Sequence, residues 1–289
     1  MPELPEVEHV VRALRRILPG RKILASQIKL PKLVAPLTPL RFNRQIKGAR
    51  IDAVSRRGKF ILIECQKPDR KGGQSAKSST GKNKIVLAVH LRMTGKFLYL
   101  TPDDELPKHS HAIFYLDNDR RLVFRDQRQF GVIKLIDADS LPQTKGIKEL
   151  APEPFGDEFN EKYLKATLKN SRRTLKTLLL DQTKVLGLGN IYAAEALFRA
   201  GVNPFKSASQ LSSRRTAALY QSIREVLSFA VDNIRGESLR AGFSYGEVFE
   251  RFWQVYEREG EPCFKCGTRI RRKQHGGRST YWCPRCQRR

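Results

Sequence analysis

Apolar residues recur at helical spacing over residues 6–18, where Val7, Val10, Val11, Leu14 and Leu18 share one face. Pro5 suits the first turn of that helix. From about 22 to 137 the period shortens to β-rich runs: Ile23–Leu30, Ile51–Ser55, Phe60–Cys65, Ile85–Leu91, Phe97–Leu100, Ala112–Leu116, Leu122–Arg125 and Val132–Ile136. Many short strands separated by turn signals predict an antiparallel sandwich or barrel. Gln66–Lys84 interrupts them. It is rich in Lys, Gly and Ser, has no apolar residue beyond Ala76, and reads as a mobile loop between two strands. From about 155 helical spacing returns over Phe159–Leu168, Leu175–Leu180, Ile191–Ala200 and Leu211–Ile234, with Gly187-Leu188-Gly189-Asn190 breaking the run before Ile191. No internal repeat is evident. The fold class is α+β: an N-terminal helix with an antiparallel β-sandwich, then a helical domain and a C-terminal hairpin.

The chain has 289 residues, 40% of them hydrophobic, enough for a real core and most simply two domains. No run approaches the ~18 uncharged apolar residues of a membrane helix. The first twenty residues hold three Glu and no unbroken apolar stretch, which argues against a secretory signal. Lys and Arg number 55 against 29 Asp and Glu, a formal charge of +26. That surplus points to a polyanion, nucleic acid above all. Charge alone does not separate an enzyme from a ribosomal or chromatin protein.

Four of the five cysteines sit in the last 27 residues, as Cys263-x2-Cys266, sixteen residues, then Cys283-x2-Cys286. That is the spacing of a four-thiolate zinc site on a hairpin. Two disulfides or a redox motif are the alternatives, but one redox motif would not explain two matched pairs. With four protein ligands such a zinc ion is structural. Cys65, alone in an apolar run, reads as a buried inert thiol. Residues 263–289 also carry nine Lys/Arg and no Asp/Glu, suiting a hairpin that lies along a phosphate backbone.

The chain opens Met1-Pro2-Glu3-Leu4-Pro5-Glu6. Removal of Met1 would leave Pro2 with a free secondary amine. Such an amine can attack an electrophilic sugar carbon, giving a charged iminium that acts as an electron sink for elimination. An α-amino group titrates near pH 8, so a useful neutral fraction exists at physiological pH. Glu3 beside it could shuttle protons. Taken alone, Pro and Glu read more simply as a plain helix start.

Several motifs change that balance. They are Pro2-Glu3-Leu4-Pro5-Glu6-Val7, Arg56-Arg57-Gly58-Lys59, His90-Leu91-Arg92-Met93-Thr94-Gly95, Asp126-Gln127-Arg128-Gln129-Phe130-Gly131, Gly187-Leu188-Gly189-Asn190-Ile191-Tyr192-Ala193 and the cysteine hairpin. In this order, over residues 2–286, the chain resembles the formamidopyrimidine-DNA glycosylase (Fpg, or MutM) family. The opening is less like the Pro-Glu-Gly-Pro of the sister endonuclease VIII group.

The resemblance implies a monomeric, bifunctional repair enzyme. It would excise oxidised purines, such as formamidopyrimidines and 8-oxoguanine, from duplex DNA and cut the strand by β,δ-elimination. Its fold would be a catalytic β-sandwich domain (1–140, with the 66–84 insertion), a helix-two-turn-helix domain (150–240) and a zinc hairpin (255–289) holding one structural Zn2+. Pro2 would be the nucleophile, Glu3 the acid/base, Glu6 a support, and Lys59 a contact to the sugar and adjacent phosphate. Met93, Arg128 and Phe130 would fill the gap left by the flipped nucleotide. His90, Lys176, Asn190, Arg272 and Arg278 would bind phosphates or line the lesion site.

These roles have physical reasons. A stacked base hides its sugar carbon, so the nucleotide must be extruded, and apolar wedges offset part of the unstacking cost. Asn190, where a Gly-rich turn opens a helix, is placed for a phosphate held by backbone amides. A free N-terminal amine, and reduced thiols on zinc, suit a cytoplasmic enzyme acting on the chromosome.

Two segments depart from the family pattern. The 66–84 insertion adds positive charge. The segment 238–249, where the family has a capping loop, looks about four residues shorter. The expectation is that formamidopyrimidine or abasic-site activity exceeds 8-oxoguanine activity. The competing readings are an endonuclease VIII-like enzyme for oxidised pyrimidines, a non-catalytic lesion-binding protein, and a basic zinc-ribbon RNA-binding protein.

Overall fold

The computed structural model describes residues 2–68, 83–234 and 253–288. Most of the insertion (69–82) and the segment 238–249 lie outside them. The chain divides into two compact units, the first built on Glu6–Lys148 and the second on Glu149–Ile234, Glu3–Pro5 and the zinc-site region.

All eight expected strands of the first unit form. One four-stranded sheet runs β2 (Arg50–Arg57), β3 (Phe60–Gln66), β4 (Lys84–His90), β8 (Val132–Asp137), and the other β1 (Ile23–Ile28), β6 (Ser110–Leu116), β7 (Arg121–Asp126), β5 (Gly95–Leu100). Every neighbour pair is antiparallel. Alternation explains the core. Ile61 and Ile63 of β3 and Ile85, Leu87 and Val89 of β4 face Phe97, Phe114, Leu122 and Phe124 of the other sheet. Helix α1 (Leu4–Ile17) adds Val7, Val10, Val11 and Leu14 to that core, with Leu18 just beyond its end, as the spacing predicts. Cys65 lies in it too, and burial pushes its thiol up to about 12, so it is inert.

Helix α2 (Pro39–Ile46) was not expected. It buries only Phe42 and Ile46, too few positions for a periodic signal, while Leu40 stays exposed. The legible clue is its start, where Thr38 caps the helix by accepting from the Arg41 amide at 3.2 Å and Pro39 fills the first turn.

The second unit holds α3 (Glu161–Lys169), α4 (Leu175–Leu179), α5 (Asn190–Arg199) and α6 (Ser213–Asn233). Asn160, Thr174 and Ser212 cap α3, α4 and α6. Their shared core includes Leu164, Leu178, Tyr192, Leu197, Leu219 and Leu227, with Leu4 from the chain start. The last element is a hairpin of β9 (Arg271–His275) and β10 (Arg278–Trp282). Its two-residue turn is Gly276-Gly277, both at positive φ, as a tight hairpin requires. Among the described residues no helix is long and apolar enough to cross a membrane.

Candidate functional site

In the second unit the start of α5 is built around Glu3. The Glu3 carboxylate accepts from the amides of Gly189 (2.6 Å), Ile191 (2.9 Å) and Tyr192 (3.3 Å) and is 2% exposed. The free amides and dipole of a helix N-terminus favour an anion. The expectation places a phosphate at this helix start through Asn190; the amides of Gly189, Ile191 and Tyr192 serve Glu3. The geometry needs glycine twice. Gly187 has φ +88°, and a Cβ on it would meet Leu4 Cδ1 at 2.5 Å. A Cβ on Gly189 would overlap the Glu3 carboxyl group. Gln182 shapes the same turn. Its Oε1 accepts from the Gly187 amide at 3.0 Å, and its Nε2 donates to the Leu188 carbonyl at 2.8 Å.

Lys176 stands beside this turn, fully buried on α4, with Nζ donating to the Asn190 carbonyl at 3.4 Å. Burial lowers its pKa to about 8. Glu3 opposes the shift and Arg278 adds to it, so all three charges lie within mutual influence. Asn190 Oδ1 is buried with no hydrogen-bond partner among the described residues, and burial pushes the nearby Tyr256 hydroxyl up to about 12. Thus Glu3, Lys176, Asn190 and Arg278 come together. Arg272 on β9 instead donates to Ser279 Oγ at 3.0 Å and pairs with Glu259 at 3.3 Å.

The hairpin is anchored to the helices at its tip and its base. The Thr174 hydroxyl and His275 Nε2 are 2.8 Å apart at the tip. At the base buried Gln287 donates to the Val202 carbonyl and accepts from the Cys283 amide, each at 2.9 Å. The Sγ atoms of Cys263, Cys266, Cys283 and Cys286 all lie within 4.8 Å of one another. The pairs Cys263–Cys286 and Cys266–Cys283 are 3.9 and 3.5 Å apart. Disulfides need about 2 Å. Four sulfurs at about 2.3 Å from a tetrahedral zinc stand about 3.8 Å apart. The donor set therefore fits one structural zinc, with no open position for catalysis.

In the first unit Glu6 lies in the first turn of α1, 9% exposed. Lys59 sits on the two-residue β2–β3 turn, where Gly58 takes positive φ. Arg56 braces that turn, donating to the Gly58 carbonyl at 3.0 Å and to Glu8 of α1 at 3.0 Å. His90, at the end of β4, stacks edge-on against Phe60, 4.8 Å between centroids. Its Nδ1 accepts from the Arg92 amide at 3.0 Å. Burial, with Arg92 and Lys59 nearby, depresses its pKa to about 3. The ring is neutral at physiological pH and carries its proton on Nε2, which is left as its donor.

Met93, on the β4–β5 turn, and Phe130, on the β7–β8 loop, are exposed by 39% and 51%. Arg128 lies over the Phe130 ring at 5.0 Å. Sequence reasoning picks these side chains but passes over what holds them. Asp126 is 1% exposed and bonds to both loops. Like Gln182 and Gln287, it has partners that no periodic pattern announces; only its place inside a motif could have drawn notice.

Known proteins share these features. Residues 1–133 match the formamidopyrimidine-DNA glycosylase N-terminal domain, 150–240 that family's H2TH domain, and 260–289 a zinc finger found in FPG and IleRS. The formamidopyrimidine-DNA glycosylase of Pelotomaculum thermopropionicum is 44% identical over 290 residues, 99% of each chain. The Lactococcus lactis Fpg (MutM) solved with an oxidised-pyrimidine-containing DNA superposes with a TM-score of 0.87 at 34% identity, covering 100% of both chains. The same protein solved with Fapy-dG-containing DNA gives 0.86 at 33%, over 99% of this chain and 100% of that one. With a pinned Glu3 behind Pro2, a four-thiolate hairpin and likeness along its whole length, the chain belongs to the formamidopyrimidine-DNA glycosylase family.

Proposed function

We propose that this chain is a base-excision repair enzyme that hydrolyses the N-glycosidic bond of oxidised purines in duplex DNA and then acts as an abasic-site lyase. The observation that carries the reading is the Glu3 carboxylate, buried and oriented by three backbone amides one residue after Pro2. The Pro2 amine attacks C1′ of the damaged nucleotide. The bond to the base breaks and the base leaves with a proton; the C1′–O4′ bond then opens as O4′ takes a proton, and a charged iminium forms. Glu3 moves protons at the deoxyribose. The iminium accepts the electrons released when the C2′ proton is lost, and the 3′-phosphate departs. A second elimination releases the 5′-phosphate, and water returns Pro2 to the free amine.

Lys59 and Glu6 support this chemistry on the first unit. Met93, Arg128 and Phe130 fill the space of the extruded nucleotide, and His90, Lys176, Asn190, Arg272 and Arg278 hold the backbone or lesion. Segments 1–140, 150–240 and 255–289 divide the work into chemistry, helical grip and zinc-hairpin grip. The enzyme works in the cytoplasm on chromosomal DNA. A second substrate class, oxidised pyrimidines, is supported by the L. lactis relative solved with such DNA.

The test is borohydride trapping on abasic-site DNA. Processed protein forms a covalent adduct; Pro2→Gly and protein retaining Met1 do not. Absence of an adduct with correctly processed protein rejects the nucleophile. A single-turnover lesion panel then ranks formamidopyrimidine against 8-oxoguanine, with the former expected to be released faster.

A further inference from the structure

Asp126 sits beneath the two loops that carry Met93, Arg128 and Phe130. One carboxylate oxygen accepts from the Thr94 hydroxyl and from the Arg128 amide at 3.2 Å. The other accepts from the Gly131 amide at 2.7 Å. The Arg128 amide also donates to Thr94 Oγ1 at 3.0 Å. The donors are one hydroxyl and two amides, none charged, so the carboxylate is used for geometry rather than for ion pairing. Two glycines let the loops close on this point. A Cβ on Gly131 would meet Phe124 at 2.6 Å, and a Cβ on Gly95 would meet the same ring at 2.7 Å. Arg92 and Gln129, flanking Met93 and Arg128, take φ of 56° and 57°, a conformation non-glycine residues adopt at a cost.

We propose that Asp126 is a positioning residue that ties the β4–β5 turn and the β7–β8 loop into a single rigid wedge, with Thr94 as its partner. This rests on the reading that Met93, Arg128 and Phe130 enter the duplex. Inserted side chains do useful work only if they cannot recoil when the stack resists. A carboxylate accepting from both loops supplies that stiffness. An amide in its place would turn an NH2 toward Gly131 on one side or toward Thr94 and Arg128 on the other, and so release one attachment.

The test uses the full chain with two readouts. One is the stopped-flow fluorescence phase of 2-aminopurine beside an abasic site in duplex DNA. The other is the ratio of borohydride trapping on duplex to trapping on single-stranded abasic DNA, which needs no extrusion. Asp126→Asn and Thr94→Val each lower the ratio and slow the fluorescence phase about tenfold or more, as small misplacements of working groups do. Thr94→Ser, which keeps the hydroxyl, stays within about twofold of the parent. If Asp126→Asn fails to fold, the Thr94 pair decides. A parental ratio in Asp126→Asn or Thr94→Val, or equal impairment in Thr94→Ser and Thr94→Val, overturns the proposal. If the Met93→Ala, Phe130→Ala double variant also keeps the parental ratio, the wedge reading itself fails. If only that double variant moves, the wedge stands and Asp126 does not set it.

Discussion

Apart from the buried Glu6 and Lys59 of the first unit, the two units equip their functional residues in opposite ways. The first leaves apolar side chains uncovered: Met93 and Phe130 stand in solvent above a rigid base. The second buries polar ones: Glu3 and Lys176 are almost wholly enclosed and already hold protein partners. Exposed apolar groups gain when something covers them, by about 25 cal/mol per Å2. Buried charges have already met their desolvation cost in folding and act from fixed positions. On the proposed roles, one unit is prepared to be inserted, the other to be approached.

The largest effect should come from breaking the buried arrangement without touching a charge. Gly189→Ala pushes a methyl group into the Glu3 carboxyl. Single-turnover base excision should fall by about 10²-fold or more, the range expected when a general acid/base is lost. Parental excision would mean that the pinned position of Glu3 is irrelevant.

Next is the charge of Lys176. Its folded pKa of about 8 lies below its ordinary 10.5. Below pH 8 both folded and unfolded chains hold the proton. Between 8 and 10.5 the unfolded chain still holds it and the folded chain does not, so stability rises with pH across that window. Against a Lys176→Met variant, the parent should gain about 3 kcal/mol between pH 7 and 10.5. Denaturant unfolding of both proteins at several pH values measures it. A constant difference would mean that the ammonium is not desolvated.

Phe130→Ala sharpens the contrast from the other unit. Being half exposed, it should change stability by no more than about 0.5 kcal/mol. Duplex excision should nonetheless slow about tenfold, because the wedge that offsets unstacking is gone. A matched loss of stability would mean that Phe130 is core and not wedge.

The legible parts of the molecule are those with a period or a fixed spacing. The eight strands could be read because each buries at least one face, and the cysteine pairs because zinc demands their separation. Helix α2 could not, since Phe42 and Ile46 are its only buried residues. Neither could the polar joints, Asp126, Gln182 and Gln287, whose partners include backbone groups brought near by folding. The start of α5 shows the limit most clearly. A Gly-rich turn before a helix does announce an anion site, but nothing local says that the anion is the chain's own third residue.

The smallest effect concerns Arg278, next to that buried cluster but itself exposed on β10. Its charge is felt by Lys176, so a phosphate held by Arg278, as proposed, would also feel the buried ammonium. Arg278→Ala should weaken DNA binding similarly for every lesion and for undamaged duplex, because a phosphate contact carries no base information. The slope of log K against log salt should shrink by about 0.9, one counterion. The variant also removes one influence that lowers the Lys176 pKa, so the stability rise described above should begin at a higher pH. If the salt slope is unchanged while that rise moves, Arg278 is near Lys176 but not on the DNA, and the approached surface of the second unit ends at the helix start.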